Sequence, residues 1–343
     1  MKMKSVYCYM LAGLMLSASS CSSWLSEDDA PVMSYDYYET EAGVNAAITA
    51  AYGFLRWGVG GERFDVLTEL GTDLFTEGED GSNRESYNKY ATQLNPDDGI
   101  LYEMWENHYK GISDANIAMQ KIRDSQDLLE SVKIQSYAEM QFIRAYLYFD
   151  LVQQFGRIPL VTEGSFEIRT DFKRAPIADV YSVIISDLRN AAENLPEKAS
   201  VLGRATRYSA AHLLAKVYLT RGSAVKDARG QKATDMDSTL YYAEQVINSG
   251  AYALQENFSS LWDIKNQGNS EAVFAVQFTT EPMFNGDGNK QHLYWLSWYE
   301  DQPGMLRDIE NGRPYRRHVA TKKTMDDLFD RLHDSRFYKS FKW

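Results

Sequence analysis

The sequence predicts a mainly α protein, a helical-repeat scaffold that carries long irregular loops and a few short strands. Apolar residues recur every three or four positions through most of residues 40–265, which is the period of amphipathic helices. After residue 265 this period disappears, and turn-rich stretches surround one β-branched and aromatic run, Ala272–Phe278, that predicts a strand. These two patterns place the helices first and the loop-rich part second.

Composition excludes several classes of protein. The chain has 343 residues, of which 44% are hydrophobic, so it can bury a core and is not a disordered chain. Its two cysteines, Cys8 and Cys21, leave no thiol for a disulfide, a metal site or a nucleophile in the rest of the sequence. The net charge of −12 argues against nucleic acid as a partner, because phosphate binding needs concentrated Lys and Arg.

The N-terminus has the features of a secretory signal. Lys2 and Lys4 precede an apolar run, Val6–Leu16, that is too short to span a bilayer. Small residues follow, and then Cys21, an order that resembles the lipobox of bacterial lipoprotein signal peptides. This resemblance implies that Cys21 becomes the first mature residue and carries the lipid. The alternative is an ordinary signal peptide that is cut near Ala18.

A polar and acidic stretch without periodicity, residues 21–39, is predicted to form a tether followed by an N-terminal arm. The first helix is predicted to begin near Thr40. Three glycines just after Trp57 are predicted to end it: Gly58, Gly60 and Gly61. A long polar loop, residues 76–99, is predicted to follow.

The helix predicted for residues 131–155 is the most informative element. It is apolar on nearly all sides, so neighbouring helices are expected to cover more than one of its faces. Gly156 and Pro159 then end it. The other amphipathic helices are predicted at about 101–122, 179–195, 208–221 and 238–249.

The last two of these helices resemble a tetratricopeptide helix pair. Leu214, Ala215 and Tyr218 in the first helix and Ala243 in the second match the large and small positions of that repeat, with residues 222–237 as an insertion. Small residues at these positions let paired helices approach closely. Successive antiparallel pairs therefore predict a tetratricopeptide-like α-solenoid.

Several segments carry more specific motifs. The longest, Ala138–Val161, contains Phe-Ile-Arg-Ala from position 142, Tyr-Phe-Asp-Leu-Val from position 148 and Phe-Gly from position 155. Shorter ones follow at Val180–Leu188, Gly203–Thr206, Asn269–Phe274 and Asp334–Phe337. In this order they resemble the SusD/RagB family of outer-membrane lipoproteins over essentially the whole chain.

This resemblance implies a SusD-like scaffold and a binding protein, not an enzyme. Family members bind oligosaccharides, or sometimes peptides, at the cell surface and act as lids over a SusC-like TonB-dependent transporter of the outer membrane. The expected organisation is a signal peptide at 1–20, the tether and arm at 21–39 and the helical domain at 40–265. Residues 266–343 are expected to form the start of a loop-rich C-terminal region. That last region is expected to be incomplete, because relatives continue beyond the motif that ends at Phe337.

Sugar binding needs flat apolar side chains that stack on pyranose rings, with polar groups beside them for the hydroxyls. Two loop clusters and one helix end supply both. The candidate ligand-binding residues are Trp295, Trp298 and Tyr299 in the first cluster, Tyr87, Tyr90, Asn83, Arg84 and Asn88 in the second, and Trp57 beside the glycines. The alternative for each aromatic is that it packs its loop onto the scaffold. Trp105 and Trp262, on periodic apolar faces, are predicted to be core.

The sequence predicts no catalytic residue, cofactor or metal site. The acidic residues of the long loop lack the alternating ligand spacing of a calcium loop, and the five histidines show no metal-binding pair. The leading hypothesis is a surface-exposed outer-membrane lipoprotein that captures a glycan for a transporter. The alternatives are a lipid-anchored secreted glycoside hydrolase, whose two carboxylates would meet from distant segments, and a peptide-binding member of the same family.

Overall fold

The computed structural model describes residues 40–80, 84–90, 94–165, 169–225, 228–281, 286, 288–309 and 312–340. The predicted signal peptide, the lipid-attachment residue Cys21, the arm at 21–39 and the candidate Asn83 lie outside the described residues.

Helices dominate this part of the chain, which confirms the mainly α class. They are α1 (Glu41–Gly53), α2 (Trp57–Gly60), α3 (Glu62–Thr68), α4 (Glu85–Lys89), α5 (Gly99–Asp124), α6 (Glu130–Phe155), α7 (Ile177–Asn194), α8 (Arg207–Gly222), α9 (Asp235–Ile247), α10 (Phe258–Leu261), α11 (Gln291–Tyr294), α12 (Lys322–Asp326) and α13 (Arg336–Ser340). Three 3₁₀ turns lie at Phe54–Arg56, Ile264–Asn266 and Tyr299–Asp301. Two short strands, β1 (Phe75–Glu77) and β2 (His318–Ala320), pair antiparallel with Phe75 opposite Ala320.

Helices α1 and α5 to α9 form the scaffold. Each helix from α5 to α9 packs against the next one, and α1 packs against α5 and α6. Helix α6 lies at the centre and has buried residues on all its sides, as its sequence predicts. Close approach of α5 and α6 depends on Gly111, because a Cβ there would lie 2.6 Å from Leu147 and 2.9 Å from Phe54.

Capping residues set the ends of these helices. The Thr40 hydroxyl accepts a hydrogen bond from Gly43 N at 3.1 Å and begins α1. Thr206 and Ser209 form a capping box at the start of α8. Gly156, at a left-handed φ of 69°, ends α6 as predicted. The predicted end of the first helix is partly confirmed: α1 gives way to a 3₁₀ turn after Gly53, and the helical stretch then ends at Gly60, the last residue of α2.

The predicted strand at Ala272–Phe278 is also wrong, since this segment pairs with no strand in the described part of the chain. Two of its carbonyl groups accept hydrogen bonds from side chains instead. Ser209 Oγ donates to Val273 O at 3.1 Å, and Arg56 Nε donates to Gln277 O at 2.9 Å. Phe274 and Val276 pack against the helical core. The β-branched and aromatic character therefore serves packing on helices.

A buried ion pair joins the three central helices. Arg144 of α6 donates from Nε and Nη2 to the two carboxylate oxygens of Asp187 in α7, both at 2.8 Å. Its Nη1 donates to Asn116 Oδ1 of α5 at 2.7 Å and to Thr162 O at 3.0 Å. Both charged side chains are nearly inaccessible, at 6% and 3% exposure. The guanidinium therefore fixes α5, α6, α7 and the chain that follows α6 relative to one another.

Two similar ion pairs hold the ends of the scaffold. Arg204, which precedes α8, donates to both oxygens of Glu139 in α6, at 2.8 and 2.6 Å. The Tyr52 hydroxyl of α1 donates to the same carboxylate at 2.6 Å. Arg221 and Asp235 join α8 to α9 in the same way, at 3.0 and 2.6 Å. Arg204 of the family-like motif at Gly203–Thr206 thus connects the start of α8 to α6.

Asp187→Ala is expected to lower the free energy of unfolding by about 3–5 kcal/mol, because it leaves the Arg144 guanidinium buried without its counter-charge. The double variant Arg144→Met/Asp187→Leu is expected to recover part of this loss. Urea unfolding measures both. Asp171→Ala, in the exposed pair with Arg169, is the matched control, and its urea midpoint of unfolding is expected to stay close to that of the wild type. An equal loss of stability in the Asp187→Ala and Asp171→Ala variants would contradict the structural role given to the buried ion pair.

Candidate functional site

The C-terminal segment returns to the loops that follow α1. Strand β2 pairs with β1, and the Thr321 and Thr324 hydroxyls each donate at 2.6 Å, to Asp73 O and Leu74 O respectively. The Trp295 ring meets Phe75 of β1 edge to face, with 4.8 Å between centroids. The two aromatic clusters predicted from sequence, about 200 residues apart along the chain, therefore lie in the same region.

Two of the three aromatic residues in the first cluster pack against neighbouring side chains. Trp295 lies between Phe75 and His318, and its Nε1 donates to Gln291 Oε1 at 3.0 Å. Tyr299 is buried, and its hydroxyl donates to Gly312 O at 2.7 Å. Trp298 is half-buried. Among these three candidates, Trp298 and part of Trp295 keep surface that a ligand could meet.

The second cluster is also divided. Tyr87 is 7% exposed and packs with Val66 and Leu70. Asn88 Oδ1 accepts hydrogen bonds from Gly71 N, Thr76 Oγ1 and Glu77 N, at 3.1, 3.1 and 3.2 Å, and so anchors β1. Tyr90 is 70% exposed. Among the described residues of this cluster, Tyr90 presents the open aromatic surface.

A cavity of about 560 Å³, here the Trp57 cavity, lies between α2–α3 and the segment that leads into α11. Its volume is in the range of ordinary ligand sites. It contains two of the predicted candidates, Trp57 and Arg84. Its walls also include Arg56, Phe278, Lys290, Tyr294 and Arg317.

Glycines let the distant segment close this cavity. A Cβ on Gly60 would lie 2.4 Å from the Phe278 ring and 3.3 Å from Gly288 O. The Gly60 carbonyl accepts a hydrogen bond from Lys290 N, and the Gly61 carbonyl accepts one from Gln291 Nε2, both at 3.1 Å. The glycines after Trp57 therefore admit a close backbone neighbour as well as ending α2.

Ion pairs position the charged walls of the Trp57 cavity. The almost fully buried carboxylate of Glu62 bridges two arginines. Its Oε1 lies 2.7 Å from Arg84 Nε, and its Oε2 lies 2.6 Å from Arg317 Nη1. Arg63 pairs with Glu103 on the other side. Trp57 packs edge to face on Phe64 and His108 and remains half-exposed. Side chains with fixed positions and one open aromatic face suit binding.

This arrangement can stack and hydrogen-bond a ligand. Trp57, Phe278 and Tyr294 supply flat apolar surface, and the arginines beside them supply donors in a fixed plane. Both carboxylates of the cavity, Glu62 and Glu103, are engaged by arginines. No set of three potential metal ligands occurs among the described residues. Over the same residues, no helix has the length and apolar character needed to cross a membrane.

A second cavity of about 530 Å³, here the Trp105 cavity, lies beside α5. Its walls are mostly apolar and include Tyr109 and Phe172. Trp105, predicted to be core, is half-buried there and packs edge to face on Phe155. Trp262, also predicted to be core, is 72% exposed, so that prediction is wrong. Its segment follows α9 in short turns, where helical periodicity carries no information about burial.

Sequence reasoning missed most of the Trp57 cavity. Lys290, Tyr294 and Arg317 come from a part of the chain without recognisable periodicity, and Phe278 is the last residue of the run that predicted a strand. One usable signal was present, because Arg56 directly precedes Trp57 in a glycine-rich stretch. Arginine and tryptophan are both enriched among the residues that contribute most to binding at interfaces.

A buried acid and base lie behind the aromatic cluster. His318 of β2 is fully buried, and its Nε2 lies 3.8 Å from Asp65 Oδ2 of α3. Burial raises the pKa of the Asp65 carboxyl to about 6 and lowers the pKa of the His318 imidazole to about 4. Both groups are thus held toward their neutral forms.

Asp65→Asn is expected to raise the free energy of unfolding at pH 7.5 by about 1–2 kcal/mol and to leave it unchanged near pH 3.5. The folded protein binds the Asp65 proton more tightly than the unfolded chain does. The protonated Asp65 carboxyl therefore contributes its full stabilisation of the folded protein below the ordinary pKa of 3.8. This contribution is lost as the pH rises through about 6. Denaturant unfolding from pH 3.5 to 7.5 measures the difference, and a difference independent of pH would contradict it.

Known proteins resemble this chain over most of its length. A SusD-like family model described as "Starch-binding associating with outer membrane" matches residues 32–219. A SusD-like protein of Formosa agariphila is 27% identical, over 91% of this chain and 63% of that protein. The starch-binding protein SusD of Bacteroides thetaiotaomicron is 27% identical, over 51% of this chain and 29% of that protein.

A solved structure gives the same result for the fold. A laminarin-binding SusD-like protein superposes with a TM-score of 0.70 and 25% identity, covering 88% of this chain and 66% of that one. The chain thus spans 63% of the length of the Formosa agariphila relative and 66% of the length of the laminarin-binding protein.

Proposed function

The chain belongs to the SusD-like family, and we propose that it is a non-enzymatic binding protein that captures an oligosaccharide at the cell surface. The observation that carries this proposal is the similarity to the laminarin-binding SusD-like protein, at a TM-score of 0.70 and 25% identity. The starch-binding relative supports the same class of ligand.

We place the saccharide in the Trp57 cavity, with Trp57, Phe278 and Tyr294 as the stacking surfaces. Rigid aromatic faces next to fixed donors match what a pyranose ring presents, an apolar C–H face and equatorial hydroxyls. Trp298 and Tyr90 remain further candidates for ligand contact, because each keeps exposed ring area. Arg84 acts as a positioned wall of the cavity through Glu62. Tyr87, Tyr299 and Asn88 support the loops that carry this surface.

The proposed partner is a SusC-like TonB-dependent transporter, over which this protein would act as a lid. The proposed location is the outer surface of the outer membrane, with the lipid on Cys21 as the anchor. The description of the matching family model, which includes association with the outer membrane, supports this location. Two or three acyl chains on one cysteine give stable anchoring, since each buried CH₂ contributes about 0.8 kcal/mol.

The alternatives predict different chemistry. A glycoside hydrolase needs one carboxylic acid and one free carboxylate on either side of the scissile bond. In the Trp57 cavity, Glu62 and Glu103 are both bound to arginines, which favours binding over hydrolysis. A peptide-binding relative would use extended backbone contacts, whereas the lining of this cavity is mainly side chains and aromatic rings.

Trp57→Ala is expected to weaken saccharide binding by about 10- to 100-fold, because one stacked ring contributes about 1–3 kcal/mol. Isothermal titration calorimetry of the detergent-purified lipoprotein with laminarin and starch measures this. Trp262→Ala removes an exposed tryptophan outside the cavity and is the matched control, with unchanged binding expected.

One result would contradict the proposed site, and another would contradict the proposed function. Equal binding by the wild type and the Trp57→Ala variant, with both folded by circular dichroism, would move the site elsewhere. Release of reducing ends in proportion to protein concentration would favour the hydrolase.

A further inference from the structure

Helix α9, the last long helix of the scaffold, has one helical neighbour where the others have two. Helix α5 packs against α1 and α6, and each of α6, α7 and α8 packs against the helices before and after it. Among the described residues, α8 is the one helix that makes extensive contact with α9. The free end of a helical-repeat scaffold is normally closed by a polar outer face.

One side of α9 is used by its packing on α8. Asp235 pairs with Arg221 at 2.6 Å. Tyr242 stacks on Tyr218, with 5.9 Å between the ring centroids, and Val246 is buried. Because these positions are seven and four residues apart, they form one stripe along the helix.

A second stripe of α9, here the α9 stripe, is apolar and uncovered. It consists of Met236, Leu240, Ala243 and Ile247, each one position after a residue of the side that faces α8. Successive residues of a helix are turned by about 100°, so the α9 stripe faces away from α8. Met236 is 44% exposed, Leu240 59% and Ile247 73%. Apolar residues at this spacing form the seam along which one helix packs on another.

The end of α8 adjoins the α9 stripe. A Cβ on Gly222 would lie 3.0 Å from Met236 Cε, and Leu219, one turn earlier on α8, is 48% exposed. The exposed apolar surface therefore continues from α9 towards α8. Continuous apolar surface of this kind marks an interaction site in soluble proteins.

The solvent side of the α9 stripe is acidic. Asp237 and Glu244 are both exposed, and each follows a residue of the stripe by one position. The sequence of α9 contains no basic residue. A helix that lies on the stripe is therefore stabilised by Lys or Arg opposite these two carboxylates, as at the flanking positions of coiled coils.

Two other occupants fit this charge poorly. In an antiparallel pair of identical helices, like flanks face each other, so a second copy would bring Asp237 and Glu244 against the same two carboxylates. The chain's own residues 22–39, which lie outside the described residues, contain no basic residue and five acidic ones: Glu27, Asp28, Asp29, Asp36 and Glu39. Charge therefore favours a different protein as the partner.

We propose that the α9 stripe is a docking surface for an amphipathic helix of another protein, one with its own apolar stripe and with Lys or Arg along one flank. Leu240 and Ile247 are the apolar anchors, and Asp237 and Glu244 select the basic flank. This partner is separate from the saccharide of the Trp57 cavity, so the docking surface does not depend on the proposed function.

The test uses two synthetic helical peptides that share one leucine stripe. One peptide carries lysines along the flank, and the other carries glutamates at the same positions. Isothermal titration calorimetry with the full chain is expected to show about 10-fold tighter binding of the lysine peptide, because its charges oppose those of Asp237 and Glu244. Equal affinity for the two peptides, or binding of neither, would overturn the proposal.

Leu240→Glu/Ile247→Glu is expected to weaken binding of the lysine peptide about 10-fold, because it removes both apolar anchors. The added negative charge alone would strengthen binding of a cationic peptide, so the two effects have opposite signs. Leu306→Glu/Leu332→Glu makes the same change at two exposed leucines outside α9 and is the matched control, with no weakening expected. With all variants folded by circular dichroism, equal weakening in both double variants, or tighter binding by the α9 variant, would overturn the proposal.

Asp237→Lys/Glu244→Lys is expected to reverse the preference, so that the glutamate peptide binds more tightly. An unchanged preference would overturn the charge selection and with it the proposed partner. Sedimentation velocity tests the second copy: a concentration-dependent dimer that Leu240→Glu/Ile247→Glu abolishes would overturn the proposal. Tighter binding of the lysine peptide after deletion of residues 24–39, without a change in its preference over the glutamate peptide, would assign the stripe to the chain's own arm and would also overturn it.

Discussion

The buried Arg144–Asp187 ion pair is the constraint on which the rest of the structure depends. A guanidinium in the interior must have all its donors satisfied, and its acceptors come from α5, α7 and the chain after α6. The three helices can therefore pack in one arrangement without leaving a buried charge unpaired. The joints at Arg204 and Arg221 extend this arrangement to α1, α8 and α9. The result is a rigid scaffold to which irregular segments attach.

The proposed site is built where two irregular segments meet on that scaffold. The glycines after Trp57 allow the backbone near Lys290 to approach, and Glu62 joins Arg84 to Arg317 across more than 200 residues of sequence. Binding residues on loops are effective when something rigid positions them. Here the rigidity comes from the short β1–β2 pairing and from the Glu62 bridge. The same bridge engages the Glu62 carboxylate with two arginines, which favours the proposed binding role over hydrolysis.

Sequence alone predicted the scaffold well, because long helices repeat their apolar residues at a fixed period and end at recognisable signals such as Gly156. It failed where burial depends on distant partners. Ala272–Phe278 has the composition of a strand but packs on helices, and Trp262 has an apolar neighbourhood in sequence but is exposed. Among the site candidates, Trp57 and Arg84 line one cavity, while Tyr87 and Tyr299 are buried. No local pattern could show that residues 56–63 share a cavity with Phe278, Lys290 and Tyr294, since that contact is made by tertiary structure.

The claim that one saccharide site is formed by two distant segments can be tested directly by hydrogen–deuterium exchange of the lipoprotein with and without a bound oligosaccharide. The account predicts slower exchange of backbone amides in residues 56–63 and 288–294 together, with no change around the Trp105 cavity. Protection confined to the Trp105 cavity, or to one of the two segments without the other, would contradict it.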